Sequence, residues 1–222
     1  MSHSFARLLG AAAIAVLGVS QAQASTTVID FNPVDLVGFY LPGESFVQGS
    51  FRMTTQLDFG TVDVASALGA VAPTGNATQF YFSANSGSLR VTATDAVPFS
   101  LNSFSAAFVP LDPPSLQTTV IVAKGTTVGN VEVVTSWAFA SSLSTRFPFA
   151  NYAATPAFAN LKSVDFYACS RVGSMICTQP TLNNGQFAID NISVTAVPEP
   201  GTALLLALGA LGLVLRTRRS LR

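Results

Sequence analysis

The sequence predicts an all-β protein whose central part is a jelly-roll-like β-sandwich. Three observations lead to this fold class. Short runs rich in Val, Ile, Phe and Thr recur along the chain, turn residues separate them at regular intervals, and no run keeps a helical period of 3.6 residues. Many short strands punctuated by turns are typical of sandwiches and barrels. A chain of 222 residues with 16 Gly and 12 Pro is long enough for one such domain.

Eleven segments are candidate strands because each combines β-branched or aromatic residues with flanking turn signals. In chain order they are Thr26–Phe31, Val37–Tyr40, Ser45–Met53, Thr55–Phe59, Gln79–Phe82, Gly87–Thr94, Ser103–Val109, Thr118–Lys124, Asn130–Phe139, Leu161–Ala168 and Gln186–Val194. One helical turn is predicted, at Val64–Val71, and Pro148–Asn160 is predicted to be a long loop.

Alternation along two of these strands predicts which side chains face the core. In Gly87–Thr94 the inward residues are Leu89, Val91 and Ala93, and Arg90, Thr92 and Thr94 point outward. In the strand that begins at Leu161 the inward residues are Val164, Phe166 and Ala168, whereas Asp165 and Tyr167 point outward.

The charge composition excludes several classes of function. The formal net charge is zero and charged residues make up 10% of the chain, which argues against a nucleic-acid partner because phosphate binding needs clustered Lys and Arg. Residues 25–197 have six basic and ten acidic side chains and no histidine, since the single histidine is His3. Serine or cysteine catalysis with an imidazole base is therefore not expected. A glycosidase that uses two carboxylates remains an alternative.

The two cysteines, Cys169 and Cys177, are predicted to form a disulfide. An even pair of cysteines in an exported protein favours a covalent bridge over two free thiols. A loop this short contributes about 3 kcal/mol or less, so the bridge would hold together one hairpin.

Two acidic residues lie on the first and last predicted strands. Asp30 follows Ile29 in the first, and Asp190 follows Ile189 in the last. The apolar parity of the last strand changes near Asp190, which predicts either a bulge at Asp190–Asn191 or a shared face for Asp190 and Ile192. The placement is similar to that in β-sandwich carbohydrate-binding modules, and this resemblance implies a structural Ca²⁺ at Asp30 and Asp190.

Aromatic side chains are candidates for stacking on sugar rings. Trp137 shares a predicted face with Val133 and Phe139, which favours core packing. Tyr152, in the predicted loop, and Tyr167, on an outward face, are expected to be exposed and are the two candidate carbohydrate contacts.

Residues 1–24 have the organisation of a secretory signal peptide. Arg7 supplies the positive charge, Leu8–Val19 is an apolar run, and Ala22-Gln23-Ala24 is a small-x-small cleavage site. The run is too short to span a membrane. We expect the Sec translocon and a signal peptidase to be partners of this segment.

The last residues, 198–222, have three consecutive features. Pro198-Glu199-Pro200 comes first, an apolar stretch from Ala203 to Leu215 follows, and a basic cluster closes the chain with Arg216, Arg218, Arg219 and Arg222. The stretch predicts a short transmembrane helix, and the arginines predict a cytoplasmic end. The expected consequence is a transient anchor in the inner membrane.

In this order, the three features resemble a PEP-CTERM protein-sorting signal. The resemblance implies a Gram-negative bacterium that makes exopolysaccharide or biofilm, and recognition by an exosortase that cuts near Pro198–Pro200. Gln186-Phe187 followed by Asp190 also resembles the Q-F-x-x-D pattern of one subgroup.

These expectations predict a signal peptide at 1–24, an extracellular β-sandwich at 25–197 and a sorting signal at 198–222. We expect a non-enzymatic protein of the cell surface or extracellular matrix that associates with exopolysaccharide. The alternatives are a glycan-processing enzyme with paired carboxylates and a purely structural matrix protein without a ligand.

Overall fold

The computed structural model describes residues 24–110, 119–140, 146–170 and 185–196, and Ser25–Val197 forms one compact unit. Within the described residues there are thirteen strands: β1 (Ser25–Ile29), β2 (Gly38–Tyr40), β3 (Ser45–Gln48), β4 (Phe51–Gln56), β5 (Gly60–Asp63), β6 (Phe80–Ser83), β7 (Ser88–Ala93), β8 (Phe99–Phe108), β9 (Thr119–Thr127), β10 (Glu132–Ala138), β11 (Ala150–Ala153), β12 (Leu161–Ser170) and β13 (Phe187–Ala196). Three short 3₁₀ helices connect them, at Val34–Leu36, Ala65–Val71 and Pro156–Phe158.

The strands pair antiparallel in two layers, which confirms the all-β sandwich. The first layer has the order β3-β4-β7-β12-β9-β10, and the second has the order β2-β5-β6-β13-β8-β11, with β1 beside the second half of β13. A single residue pair, Leu161 with Phe99, joins β12 to β8 and makes the two layers continuous.

The main core fills the space between the two layers. Aromatic rings meet across it, with Phe104 of β8 centred 5.0 Å from Phe166 of β12, and Phe51 of β4 centred 5.5 Å from Phe99 of β8. The predicted inward residues Leu89, Val91, Val164, Phe166 and Ala168 are all fully buried there. Such burial is the main favourable contribution to the stability of a domain of this size.

The outer face of the second layer carries a smaller apolar cluster. Phe80, Phe82 and Ala188 are buried in it, and the 3₁₀ helix Ala65–Val71 packs on top. The predicted helical turn at Val64–Val71 is therefore confirmed, and it gives one patch of the outer face a cover of its own.

Several predicted boundaries are wrong. The segment Ser45–Met53 was expected to be one strand but forms the hairpin β3–β4, because Gly49 takes a left-handed φ of 58°. The strand predicted at Thr55–Phe59 is interrupted because Leu57 has a φ of 68°, and β5 begins only at Gly60. The predicted loop Pro148–Asn160 contains β11, which pairs with β8.

The outward face of the first layer carries a row of alternating charges. Arg90 on β7 donates two hydrogen bonds to Asp165 on β12, at 2.7 and 2.9 Å. Lys124 on β9 lies directly opposite Asp165 and forms an ion pair with Glu132 on β10. The prediction that Arg90 and Asp165 face outward is confirmed.

Candidate functional site

Two short strands share one edge of β13. β6 pairs with residues 187–189 of β13, and β1 pairs with residues 192–196. Both run antiparallel to β13, so β1 ends where β6 begins. The junction brings Asp30, which follows β1, close to Asn76 and Thr78, which precede β6, and to Asp190 and Asn191 of β13. These five residues are called the Asp190 junction.

A β-bulge in β13 shapes this junction. The register of β13 against β8 shifts between Asp190 and Ser193, and Asn191 has a left-handed φ of 50°. Asn tolerates this conformation better than most residues. Ile189 and Ile192 consequently both point into the main core, whereas Asp190 does not share their face. Of the two predicted alternatives, a bulge at Asp190–Asn191 or a shared face for Asp190 and Ile192, the bulge is confirmed.

The Asp190 carboxylate is fully buried and is surrounded by N–H and O–H donors. Asn76 donates to Oδ2 through Nδ2 at 2.7 Å, and the backbone N–H of Asn191 donates to Oδ1 at 2.7 Å. The Asn191 side chain at 3.0 Å and the Thr78 hydroxyl at 3.4 Å complete the set at Oδ2. Burial raises the pKa of Asp190 to about 6; the hydrogen bonds oppose this shift, and the negative charge of Asp30 adds to it.

Asp30 has the opposite shift in a more open position. Burial raises its pKa, but hydrogen bonds outweigh this effect, so the pKa of Asp30 lies below its usual value. Gln48 donates to Oδ1 at 2.5 Å, and the backbone N–H and side chain of Asn32 donate at 3.2 and 3.1 Å. The two predicted acids are thus neighbours, as the positions of the terminal strands suggested.

The carboxylate oxygens of Asp30 and Asp190 are engaged by hydrogen-bond donors rather than left free for a calcium ion. Calcium takes six to eight oxygen ligands, but the oxygens of Asp30 and Asp190 already accept hydrogen bonds, most of them from amide N–H groups. In the described ranges, no three acidic, His or Cys side chains gather into a ligand set. The donors satisfy both carboxylates without a cation, and calcium at Asp30 and Asp190 stays a prediction.

The predicted exposure of two tyrosines is wrong. Tyr152 is 8% exposed because its ring packs against Phe104 in the main core, and its hydroxyl donates to the Ala138 carbonyl. Tyr167 is 5% exposed and packs with Val120 and Val122 on the outer side of the first layer. Alternation correctly placed Tyr167 on the side of the first layer that faces away from the main core, but the side chain is buried on that side as well. Neither ring presents a free face to a sugar.

Trp137 packs against the main core, as predicted. Its ring meets Phe104 edge to face with centroids 5.2 Å apart. Cys169 is fully buried and is not a free thiol. Its predicted partner, Cys177, lies outside the described residues, so the pairing stays a prediction.

An exposed apolar surface that the sequence did not reveal lies on the edge strand β2. Phe39 lies on this strand and Val37 and Leu41 flank it, and the three side chains are 58%, 47% and 52% exposed. Phe39 stacks on Phe59 with centroids 4.7 Å apart, and Phe59 packs on the outer cluster below. We call Val37, Phe39, Leu41 and Phe59 the Phe39 platform. The sequence shows the alternation of Val37, Phe39 and Leu41, but it does not indicate which side of the strand is exposed.

Four acidic residues lie near the two ends of β2 and β5. Asp35 and Glu44 flank β2, while Asp58 and Asp63 flank β5. Burial and the negative charges of Asp35 and Glu44 raise the pKa of Tyr40, which places both acids near the strand. None of these four carboxylates, which we call the acidic rim, forms an ion pair within the described part of the chain.

The terminal segments that carry the sorting prediction lie outside the described residues. At the N-terminal end they are residues 1–23 of the predicted signal peptide. At the C-terminal end they include Pro198, Glu199 and Pro200, the apolar stretch, and the basic cluster of Arg216, Arg218, Arg219 and Arg222. Across the ranges that the structure covers, no helix is long and apolar enough to cross a membrane.

Comparison with known proteins identifies the C-terminal segment. Residues 196–219 match the family described as the PEP-CTERM protein-sorting motif. No curated protein matches the chain. Among solved structures, the enzymatically active domain of tailspike protein 4 from bacteriophage CBA120 is 12% identical, with a TM-score of 0.30, covering 74% of this chain and 20% of that chain. A likeness of that size carries no information about activity.

The matched segment begins at the end of β13 and includes Pro198-Glu199-Pro200 together with the apolar stretch and the first three arginines of the basic cluster. Its match indicates export and membrane-associated sorting of the kind found in Gram-negative bacteria. Residues 196–219 are therefore a PEP-CTERM protein-sorting motif, which supports export of the chain and its sorting by an exosortase.

Proposed function

We propose that the domain is a non-enzymatic, glycan-associating protein of the extracellular polysaccharide layer. The observation that carries this proposal is the Phe39 platform. One face of the Phe39 ring rests on Phe59, and the side chain remains 58% exposed. The face of an aromatic ring is electron-rich and attracts the C–H groups on one side of a sugar ring, while neighbouring apolar side chains exclude water.

The neighbours of Phe39 supply polar contacts beside the apolar ones. Thr61 lies directly opposite Phe39 in the register of β2 and β5, and Asp63 follows two residues later on the same face. A sugar that stacks on Phe39 would have hydroxyl and carboxylate acceptors at its edge. Export and sorting by an exosortase are consistent with a ligand outside the cell.

A glycan-processing enzyme is the second candidate, and one observation favours it. The pKa values of two neighbouring acids diverge, with Asp190 raised and Asp30 lowered, as in pairs that act as general acid and base. Against it, Asp190 has no exposed surface, and its oxygens accept hydrogen bonds from Asn76 and Asn191. A substrate would have to displace those donors to reach the carboxylate, so we favour a structural role for the pair.

A purely structural matrix protein is the third candidate. The outward side chains of β1, β8 and β13 bond to one another, with Thr26 and Thr195 at 2.9 Å and Asn102 and Thr195 at 2.8 Å. Such mutual pairing is typical of a solvated sheet face. This candidate predicts that no side chain of the Phe39 platform contributes to retention by a polymer.

The test is co-sedimentation of the full chain, kept in solution with a mild detergent, with the purified exopolysaccharide of the producing organism. We expect saturable retention that Phe39→Ala abolishes. Val134→Ala, which trims an exposed apolar side chain on β10, is the matched control and should leave retention unchanged. Equal retention of wild type and Phe39→Ala would contradict the assigned platform.

Two further outcomes separate the alternatives. Absence of retention with a folded sample would contradict glycan association with that polymer and favour the structural candidate. Shortening of the polymer that is lost in Asp190→Asn would contradict the non-enzymatic proposal.

A further inference from the structure

We infer that the glycan bound at the Phe39 platform is cationic, a polymer of amino sugars with protonated amines. This inference rests on the proposed function and adds the chemical class of the ligand. The carrying observation is the coincidence of an exposed aromatic face with four carboxylates that have no cationic partner among the described residues.

The rim carboxylates lie at the two ends of the β2–β5 pair. β2 and β5 are paired along their length, with Gly38 opposite Val62 and Tyr40 opposite Gly60. Asp35 and Asp63 therefore lie toward one end of the pair, and Glu44 and Asp58 lie toward the other. Glu44 is held in its turn by accepting the backbone N–H of Leu41 at 2.7 Å, so its charge stays beside the platform.

A protonated amine would gain two favourable interactions here. It would be attracted to the face of Phe39 by the charge distribution of the ring, and to the rim carboxylates by charge. An anionic polymer would meet four like charges instead. Since the rim is exposed, the attraction should be screened by salt.

The contacts at β2 favour a glycan over the other occupants of an open strand edge. β2 is only three residues long, and Leu41 already directs its N–H to Glu44, which leaves little backbone for an added peptide strand. A second copy of this chain would bring two acidic rims together, which electrostatic repulsion opposes.

The test compares two polymers with the same backbone. Beads carrying chitosan, which has free amines, and beads carrying chitin, in which the amines are acetylated, are mixed with the full chain in detergent at about pH 5.5. We expect about tenfold tighter retention on chitosan, falling toward the chitin value as salt is added. Phe39→Ala should reduce retention on both polymers.

The charge of the rim is tested by the double variant Asp35→Asn with Asp63→Asn. It should retain the chitin value and lose about half of the excess on chitosan, because Glu44 and Asp58 keep their charges. Asp95→Asn changes an exposed acid in a turn elsewhere and is the matched control, expected to behave as wild type. An unchanged excess on chitosan in the double variant would overturn the inference.

The remaining outcomes distinguish this inference from the proposed function. Equal, Phe39-dependent retention on both polymers would leave glycan association standing and overturn charge selection. If the chain is retained on neither polymer but captures an alternating Lys-Val peptide through Phe39, both the inference and the proposed function are overturned. The same holds if it is retained on neither polymer and forms Phe39-dependent dimers in sedimentation. Retention on chitosan that Phe39→Ala does not reduce would show attraction by net charge alone and would also overturn the inference.

Discussion

Replacing Asp190 by Asn should remove the pH dependence of stability that the raised pKa of Asp190 predicts for the wild-type protein between about pH 4 and pH 6. The Asp190 carboxylate lies on β13, beside the point where β1 ends. It is fully buried, and the negative charge of Asp30 is close to it. The folded protein therefore holds the Asp190 proton more tightly than the unfolded chain does. In that window the folded state binds more protons, so the free energy of unfolding falls as the pH rises.

The magnitude follows from the two pKa values. The pKa of Asp190 is about 6 in the folded protein against 3.8 for the unperturbed side chain, and this difference corresponds to about 3 kcal/mol. Most of this amount is lost by about pH 6, and the remainder is lost by about pH 7. Asp30 titrates in a separate window, because its lowered pKa gives stability that is lost only below about pH 3.8.

The assay is urea unfolding of the full chain at a series of pH values, for wild type and for Asp190→Asn. In Asp190→Asn the new amide faces the donors of Asn76 and Asn191, which should cost about 1–3 kcal/mol at every pH. The readout is therefore the slope of the free energy of unfolding against pH, which this constant cost does not change. Asp30→Asn, in the same junction, is the control and should keep most of the slope between pH 4 and 6, because the charge of Asp30 is the smallest of the causes that shift the pKa of Asp190. A wild-type curve with the same slope as Asp190→Asn in that range would refute the reasoning.

Three more changes test other parts of the structure. Gly60→Ala should destabilise the fold by about 2 kcal/mol in urea unfolding, because a Cβ there overlaps the buried Tyr81 ring, whereas Gly129→Ala has room and should cost less than about 0.5 kcal/mol. Added CaCl₂ or EDTA should leave the melting temperature unchanged, because donors already satisfy Asp190; a rise with calcium that EDTA reverses would support the predicted calcium site instead. Tyr152→Phe should leave glycan retention in the bead assay unchanged and cost about 1 kcal/mol, since it removes one hydrogen bond in the core.

The sequence was sufficient where a strand is buried on one face and open on the other. Leu89 and Val91 alternate with Arg90, and the structure places them on opposite sides of β7 as expected. The parity change near Asp190 also predicted the bulge, because apolar side chains on both sides of it have to reach the same core. Both inferences use only the two-residue period of a strand.

The sequence was insufficient where the outcome depends on distant partners or on rare backbone conformations. Leu57 has a left-handed φ that nothing in its residue type indicates, and it separates β4 from β5. Tyr167 points away from the main core but lies under a cover that periodicity does not specify. Phe39 is exposed because β2 is the last strand of its layer, a fact of topology that no local pattern contains.

The Q-F-x-x-D segment shows how one short motif can have a structural explanation for each position. Gln186 is buried and points its amide toward Asn85, and Phe187 fills the main core. Asp190 holds the loop that leads into β6, by accepting from Asn76 at the point where β1 stops. The acid lies where two strands share the edge of β13 and leave a gap between them. We therefore interpret the pattern as a requirement of this broken edge, and the ligand-facing chemistry of the domain as a property of β2 and β5, where the motif has no residues.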